Sequence, residues 1–463
     1  MKFVLLFKTL TLFRPGILVL GTLVAVLAFL AGLAGFMPYF PLILLGGIVC
    51  IAMLIVWLEK PVCALYAPLI LVFLPVGLIP ANIHSILNRL LTVIAAGVWF
   101  IWLLTSRKKI TWTIPALFMF LFLGWGGITV LWAARVSNAA TALQVYSLRF
   151  LLFLFLIPNE IRTKQDLDGL MNTLAVSGWV LLLSFVATVL FNGYEVGTQL
   201  AIFGGNQNEA GVLAVLAMVG VIWQVSHYAK SYRIFGILMG TTFFLLTFGL
   251  VVMTGSRGSA LSMMFTTLAF WFWKPTRVWG KVVLSVLILA VILTPSIFTT
   301  LVLRFLAEGN DTLLGGREML WKAAWHMIQD HPTGGVGIGN SPYAILPYLE
   351  NDVHMVLFQS AVVHNPILTI WSETGFLGIL LYLGMLISSF YLFVSQYLKF
   401  RKIGCKDIDP YFAAVSSVAL GYLISWFKGG GMESDFSYFF VLALLILPSV
   451  LNYTSFKCIP AVS

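Results

Sequence analysis

Arg257, Arg317 and His364 are the residues whose types and settings suit chemistry between an anion and a hydroxyl group. Arg257 sits in Gly255-Ser256-Arg257-Gly258 at the start of an apolar run. The glycines let a ligand approach the backbone, and a helix N-terminus there favours an anion. Arg317 follows Gly315-Gly316 and opens an amphipathic run that ends at Asp330-His331-Pro332. A guanidinium is the better bidentate partner for phosphate. His364, in His364-Asn365-Pro366, has the near-neutral pKa range that suits a general base taking a proton from a hydroxyl. Glu373 follows nine residues later and is placed to orient that histidine or to cap a helix. Asn365 and Asn340 suit either sugar hydroxyls or turns. Arg149 falls inside an apolar run, where an arginine usually faces a cavity or a partner.

Each residue alone also has a plainer reading. Arg257 and Arg149 would serve as snorkelling arginines. Arg317 would pair at the surface with Glu318 or Asp311. His364 would be a polar interfacial residue, and His326, His331 and His354 lie in the same stretch. The turn Gly334 to Gly339 lacks the Gly-Lys-Ser/Thr of a P-loop and follows no strand, so a nucleotide site is not expected. Asp166-Leu167-Asp168 and Asp407-Ile408-Asp409 sit beside lysines and read as solvated loops. No metal and no cofactor are expected. The four cysteines show no metal-ligand spacing, and Cys405 and Cys458 fall in basic loops assigned to the inner face, so no disulfide is expected.

The elements that must hold these residues are membrane helices. The 463 residues are 60% hydrophobic and only 10% charged, with mean hydropathy +1.00. Apolar runs of about 17–22 residues recur, without the period-two alternation of a β-barrel. The expected fold is an all-α polytopic membrane protein of about fourteen transmembrane helices, between twelve and fourteen. The short third run (61–80) holds Pro68 and Pro75, and the tenth (258–273) is short as well. Lys2, Lys8 and Arg14 precede a first apolar run without a small-residue cleavage site, so it reads as a retained span. With the N-terminus inside, most of the 27 basic residues fall in inner loops, so the net charge of +10 marks topology and not a nucleic-acid partner. The remainder, largely arginines, lie outside or within spans, which equips the outer face for an anionic ligand. The chain divides into a bundle of about eleven spans over 1–298, a long outer loop over 299–371 carrying surface helices, and about three spans over 372–463.

Taken in order, these pieces resemble the O-antigen ligase and O-antigen polymerase superfamily. The resemblance rests on Gly255-Ser256-Arg257-Gly258 and on Gly316-Arg317-Glu318 with Trp321 and Trp325. It continues through Asp330-His331-Pro332, Gly335 to Asn340, His364-Asn365 and Glu373-Thr374-Gly375 to Gly378. Asn206-Gln207-Asn208 is similar to the family's Asn-Pro-Asn segment, with Gln207 departing from it. The motifs cover about residues 204–380, and the first 200 residues match only as generic spans. The resemblance implies a GT-C-like membrane glycosyltransferase of the bacterial inner membrane with its active site facing the periplasm. It would move a glycan from an undecaprenyl-diphosphate carrier to a hydroxyl of lipid A core or of another lipid-linked glycan, without a metal and with inversion. Arg257 and Arg317 would bind the diphosphate and His364 would be the base. Arg149 and Arg304 join the anion site by position, and Glu373 and Asn365 support it. The competing classes are a lipid-linked glycan flippase or secondary transporter, a peptidoglycan-type glycosyltransferase, and a membrane scaffold.

Overall fold

The computed structural model describes residues 53–54, 56–74, 79, 81–106, 109–196, 198–228, 233–293, 302, 317–349, 361–426, 436–456 and 458. The first expected span and Arg304 lie outside them. Among the described residues every regular element is helical. In chain order they are α1 (Val62–Phe73), α2 (Ala81–Ser106), α3 (Ile114–Thr129), α4 (Val136–Glu160) and α5 (Lys164–Asn192). Then follow α6 (Gln207–Tyr228), α7 (Arg233–Thr254), α8 (Arg257–Phe270) and α9 (Arg277–Leu293). The remainder are α10 (Arg317–Asp330), α11 (Pro366–Ile403), α12 (Asp409–Trp426) and α13 (Phe436–Ile446).

Eight helices among the described residues, α2 to α7 with α11 and α12, are long and apolar enough to cross a bilayer. The chain is therefore a multi-pass membrane protein. α1 and α13 are shorter apolar helices, and α8 and α9, with 14 and 17 residues, occupy two further expected spans. α1 runs through Pro68 and stops at Phe73, ahead of Pro75. α4 widens into a π-helix over Phe150–Leu156, immediately after Arg149.

Helix starts follow from local chemistry. Thr163 and Asp166 form a reciprocal capping box at α5, Ser256 caps α8 through the Ser259 amide, and Thr113 with Pro115 opens α3. The hydroxyls of Thr173, Ser177, Ser184 and Thr188 on α5 donate to carbonyls four residues back, so these four stay satisfied inside the bundle.

α6 is the axis of the bundle: 78% of its apolar window is buried, against 33% for α2. Small residues let its neighbours approach. A Cβ on Gly220 would stand 2.5 Å from the Met171 carbonyl oxygen and 2.6 Å from the Ala175 amide, so any side chain there would push α5 away. The Ser262 hydroxyl donates to the Gly421 carbonyl at 2.8 Å and ties α8 to α12.

One expectation is corrected. Cys405, just past the end of α11, and Cys458 are joined as a disulfide across 53 residues of sequence. The C-terminal segment folds back onto that end of the bundle: the Asn452 amide donates to the Arg162 carbonyl, the Lys164 amide donates to the Ser455 hydroxyl, and Phe400 packs on Tyr453 and Phe456. No spacing motif announces such a pairing. In an oxidising compartment the bond persists, and in a reducing one the same packing keeps the two thiols together.

Candidate active site

The long loop has its own small core. Leu320, Ala323, Ala324 and Met327 of α10 pack with Ile345, Ala361 and Val363. This is the apolar face that the spacing predicts, and it packs over the N-terminal end of α11. Trp325 meets Trp371 edge to face at 5.6 Å, and Tyr348 donates to the Asp330 carboxylate at 2.8 Å, closing the end of α10.

Arg317 is the first residue of α10 and Arg257 the first of α8, so one belongs to the loop and the other to the bundle. The fold brings them into electrostatic range. Half-burial lowers the Arg317 guanidinium from its ordinary value, and the neighbouring Arg257 guanidinium lowers it further. Two half-buried guanidiniums within electrostatic range of each other make a site that gains when an anion enters.

His364 lies just outside α11 and is half-buried. Its φ of +54° is in the left-handed region, which a non-glycine residue occupies only when its surroundings hold it there. Two neighbours do so. The Trp321 indole N–H donates to the Val363 carbonyl at 3.1 Å, and the Asn365 side chain accepts from the Ile367 and Leu368 amides. Trp321 stands one helical turn after Arg317 on α10, so one face of that helix carries an arginine and pins the residue beside the histidine. Asn365 is thus a helix cap, with Pro366 in the first turn.

Glu373 holds the scaffold. It is 2% exposed, and its Oε1 accepts the Ser341 hydroxyl at 2.7 Å and the Ser341 amide at 3.4 Å. The next break in regular structure explains the motif around it. α11 is interrupted at Gly375, where φ is +66° and ψ −165°. The interruption frees the carbonyls of Ser372, Glu373 and Thr374, which accept from the Val336 amide (2.8 Å), the Gly337 amide (2.9 Å) and the Trp125 indole (2.7 Å). The released Phe376 amide donates to the Pro332 carbonyl at 2.9 Å. The glycine turn is therefore a docking piece for a broken helix.

The other side of that turn binds α3 and the start of α4. The Trp132 indole donates to the Gly335 carbonyl, the Ile338 amide donates to the Thr129 hydroxyl, and the Arg135 amide donates to Asn340 Oδ1 at 2.9 Å. Asn340 is 1% exposed and its Nδ2 donates to the Ile338 carbonyl. Asn340→Ala is expected to destabilise the protein by about 1–3 kcal/mol, because it leaves the Arg135 amide without its acceptor. The thermal unfolding midpoint of purified protein in detergent checks this.

Arg149 lines a cavity of about 420 Å³ between α2, α4 and the start of α6, together with Arg89, Asn88, His84, Asn206 and Glu209. The residues other than Arg149 were not singled out from sequence as site residues. A signal exists for them: His84, Asn88 and Thr92, with Ser85 and Arg89, form a polar stripe at helical spacing on an otherwise apolar helix. Asn206 connects this cavity to the arginine pair, because two residues on the Asn208 carbonyl accepts the Ser259 hydroxyl at 3.1 Å. Among the described residues no three His, Cys, Asp or Glu side chains gather closely enough to hold a metal ion.

Among the described residues, the geometry brings Arg317 of the loop into electrostatic range of Arg257 of the bundle and packs α10 against α11. Residues 242–383 match the family model described as O-antigen ligase. This matched segment supports a likeness to the O-antigen ligase and polymerase superfamily. The match encloses Arg257, Arg317, His364, Asn365 and Glu373 and leaves Arg149 outside. No curated protein matches the chain.

Proposed function

We propose that the protein transfers a glycan from an undecaprenyl-diphosphate carrier to a hydroxyl of an acceptor, at the outer face of the bacterial inner membrane. The observation that carries this reading is that Arg257 of the bundle and Arg317 of the loop lie within electrostatic range, inside the segment matched by the family model. The two guanidiniums bind the diphosphate and stabilise the negative charge that grows on it as the bond to the sugar breaks. His364 takes the proton of the acceptor hydroxyl as its oxygen attacks the anomeric carbon. The carbon–oxygen bond to phosphate breaks on the opposite side, the diphosphate leaves with the electron pair, and the configuration inverts. The charge is met by arginines, so the reading needs no metal. Arg304, placed in the anion site by sequence, lies outside the described residues.

The test is reconstitution. Purified protein in lipid receives undecaprenyl-diphosphate oligosaccharide repeats, with His364→Ala as control. A ladder of longer glycans, lost in His364→Ala, is the expected result for a polymerase. Transfer only when lipid A core is added, again lost in the variant, is expected for a ligase. Wild-type turnover by His364→Ala would remove the histidine from the mechanism.

A further inference from the structure

The helical row that carries Arg317 continues past the anion site. Arg317, Trp321 and Trp325 are spaced four residues apart on α10, a row that winds by about 40° at each step. It emerges from the fold as it winds: Arg317 and Trp321 are half-buried, whereas Trp325 is 44% exposed. The exposed residues of α10 are Glu318, Lys322, Trp325, His326, Gln329 and Asp330, and only Trp325 among them is a large apolar side chain. A single exposed apolar residue needs no explanation. This one is supported and framed. Trp371 of α11, itself half-buried, meets it edge to face and orients the indole. One turn further along, Gln329 Oε1 lies 3.2 Å from His326 Nδ1, so two polar side chains are set against each other beside the ring. Lys322 stands on the other side, one turn back.

An open indole face ringed by hydrogen-bonding groups suits a ligand with one apolar face and a polar edge. A pyranose is such a ligand: its C–H face packs on the ring and its hydroxyls point outward to the amide, imidazole and ammonium groups. A lipid chain fits poorly, because the surroundings of Trp325 are polar and charged. The row also gives the sugar a place. Trp325 stands about 12 Å along α10 from Arg317, farther than one sugar ring spans. Trp321, midway, donates to the Val363 carbonyl beside His364, so the row passes the proposed base. We propose that Trp325 is a stacking platform for a sugar of the transferred glycan that lies beyond the one bonded to diphosphate, with His326 and Gln329 taking its hydroxyls. Trp325 then selects the glycan and touches none of the reacting atoms. This role in transfer rests on the function proposed above, whereas the sugar platform rests on the row, the second indole and the polar frame.

The experiment begins with binding, read by saturation-transfer NMR on the full-length protein in detergent. The probe is the repeat oligosaccharide of the source cell, freed from lipid and phosphate by mild acid. Wild type is expected to bind it, Trp325→Ala to weaken binding about tenfold, and Trp325→Tyr, which keeps a stacking face, to recover most of the loss. Should Trp325→Ala fail to fold, Gln329→Leu at the exposed rim is expected to weaken binding by a smaller factor. No binding by wild type, or binding unchanged in these variants, would overturn the platform. Quenching of the Trp325 contribution to fluorescence in nanodiscs of brominated phosphatidylcholine, taken as the difference from Trp325→Phe, would assign the ring to the bilayer and overturn it too. Transfer kinetics at constant acceptor then place the sugar. Trp325→Ala is expected to raise KM about tenfold for an undecaprenyl-diphosphate donor carrying the full repeat, with kcat unchanged, and to leave KM for a single-sugar donor at the wild-type value. An equal rise for both donors would overturn the selective role, and a rise in acceptor KM in its place would overturn the assignment to the transferred glycan. Oligosaccharide bound as expected by a protein that transfers nothing would count against the transferase reading and support the platform. Transfer with wild-type KM for both donors in Trp325→Ala would support the transferase reading and overturn the platform.

Discussion

Arg317→Ala is expected to lower glycan transfer by roughly a hundredfold or more while leaving the protein inserted and folded. The loss falls on turnover, because the guanidinium's contribution grows as the diphosphate departs. Arg317→Lys is expected to recover little of it, since a lysine offers a point charge where two parallel hydrogen bonds are needed. The site explains why one residue carries so much. On the proposed reading, Arg317 is the loop's contribution to an anion site whose other member, Arg257, comes from the bundle, and the two lie within electrostatic range. Single-turnover transfer with preformed donor complex, alongside size-exclusion behaviour of the variant, checks the prediction. Near wild-type turnover in a well-folded Arg317→Ala would mean that the pair is structural and that the anion binds elsewhere.

The second large effect is on folding. Gly375→Ala is expected to cost on the order of 3–5 kcal/mol, enough to deplete folded protein in the membrane. At φ +66° and ψ −165° the backbone is in a region open in practice to glycine only. An added Cβ would also collide with the Thr333 carbonyl and stand 2.6 Å from the Gly334 amide. Neither is a flexible side-chain end, so the collision moves the whole glycine turn. Gly127→Ala is the control, because nothing lies within 4 Å of a Cβ there. It sits within α3, where alanine is a better helix former, and should be neutral or stabilising by up to about 1 kcal/mol. Yield, thermal midpoint and limited proteolysis of the loop distinguish the two variants. Equal behaviour would show that the break in α11 is not what docks the turn.

What the chain discloses on its own follows physical range. The membrane class was legible because apolar run length is local. The face of α10 was legible because Leu320, Ala324, Met327 and Ile328 repeat at helical spacing. For Asn365 before Pro366 the sequence leaves a turn or sugar binding open, and the Ile367 and Leu368 amides on its side-chain oxygen make it a helix cap. Glu373 was different: its partner Ser341 lies 32 residues away, and no pattern in the sequence joins them. The break at Gly375 hides inside an apolar run, because hydropathy does not register a change of φ. The Cys405–Cys458 pairing is a product of chain return over 53 residues. The cavity on α2 was legible in part. Its polar stripe is periodic, but hydropathy averaged over a window dilutes one charged face of a long helix.

The seam between the glycine turn and α11 is made of main-chain atoms on both sides, apart from the Trp125 and Trp132 indoles. Such a seam is indifferent to the identity of most side chains that face outward from the roof. Those side chains can be exchanged without disturbing the backbone that holds His364. On the proposed reading, the architecture separates the part that would recognise a particular glycan from the part that would perform the transfer, so that one engine could be refitted for many cargoes.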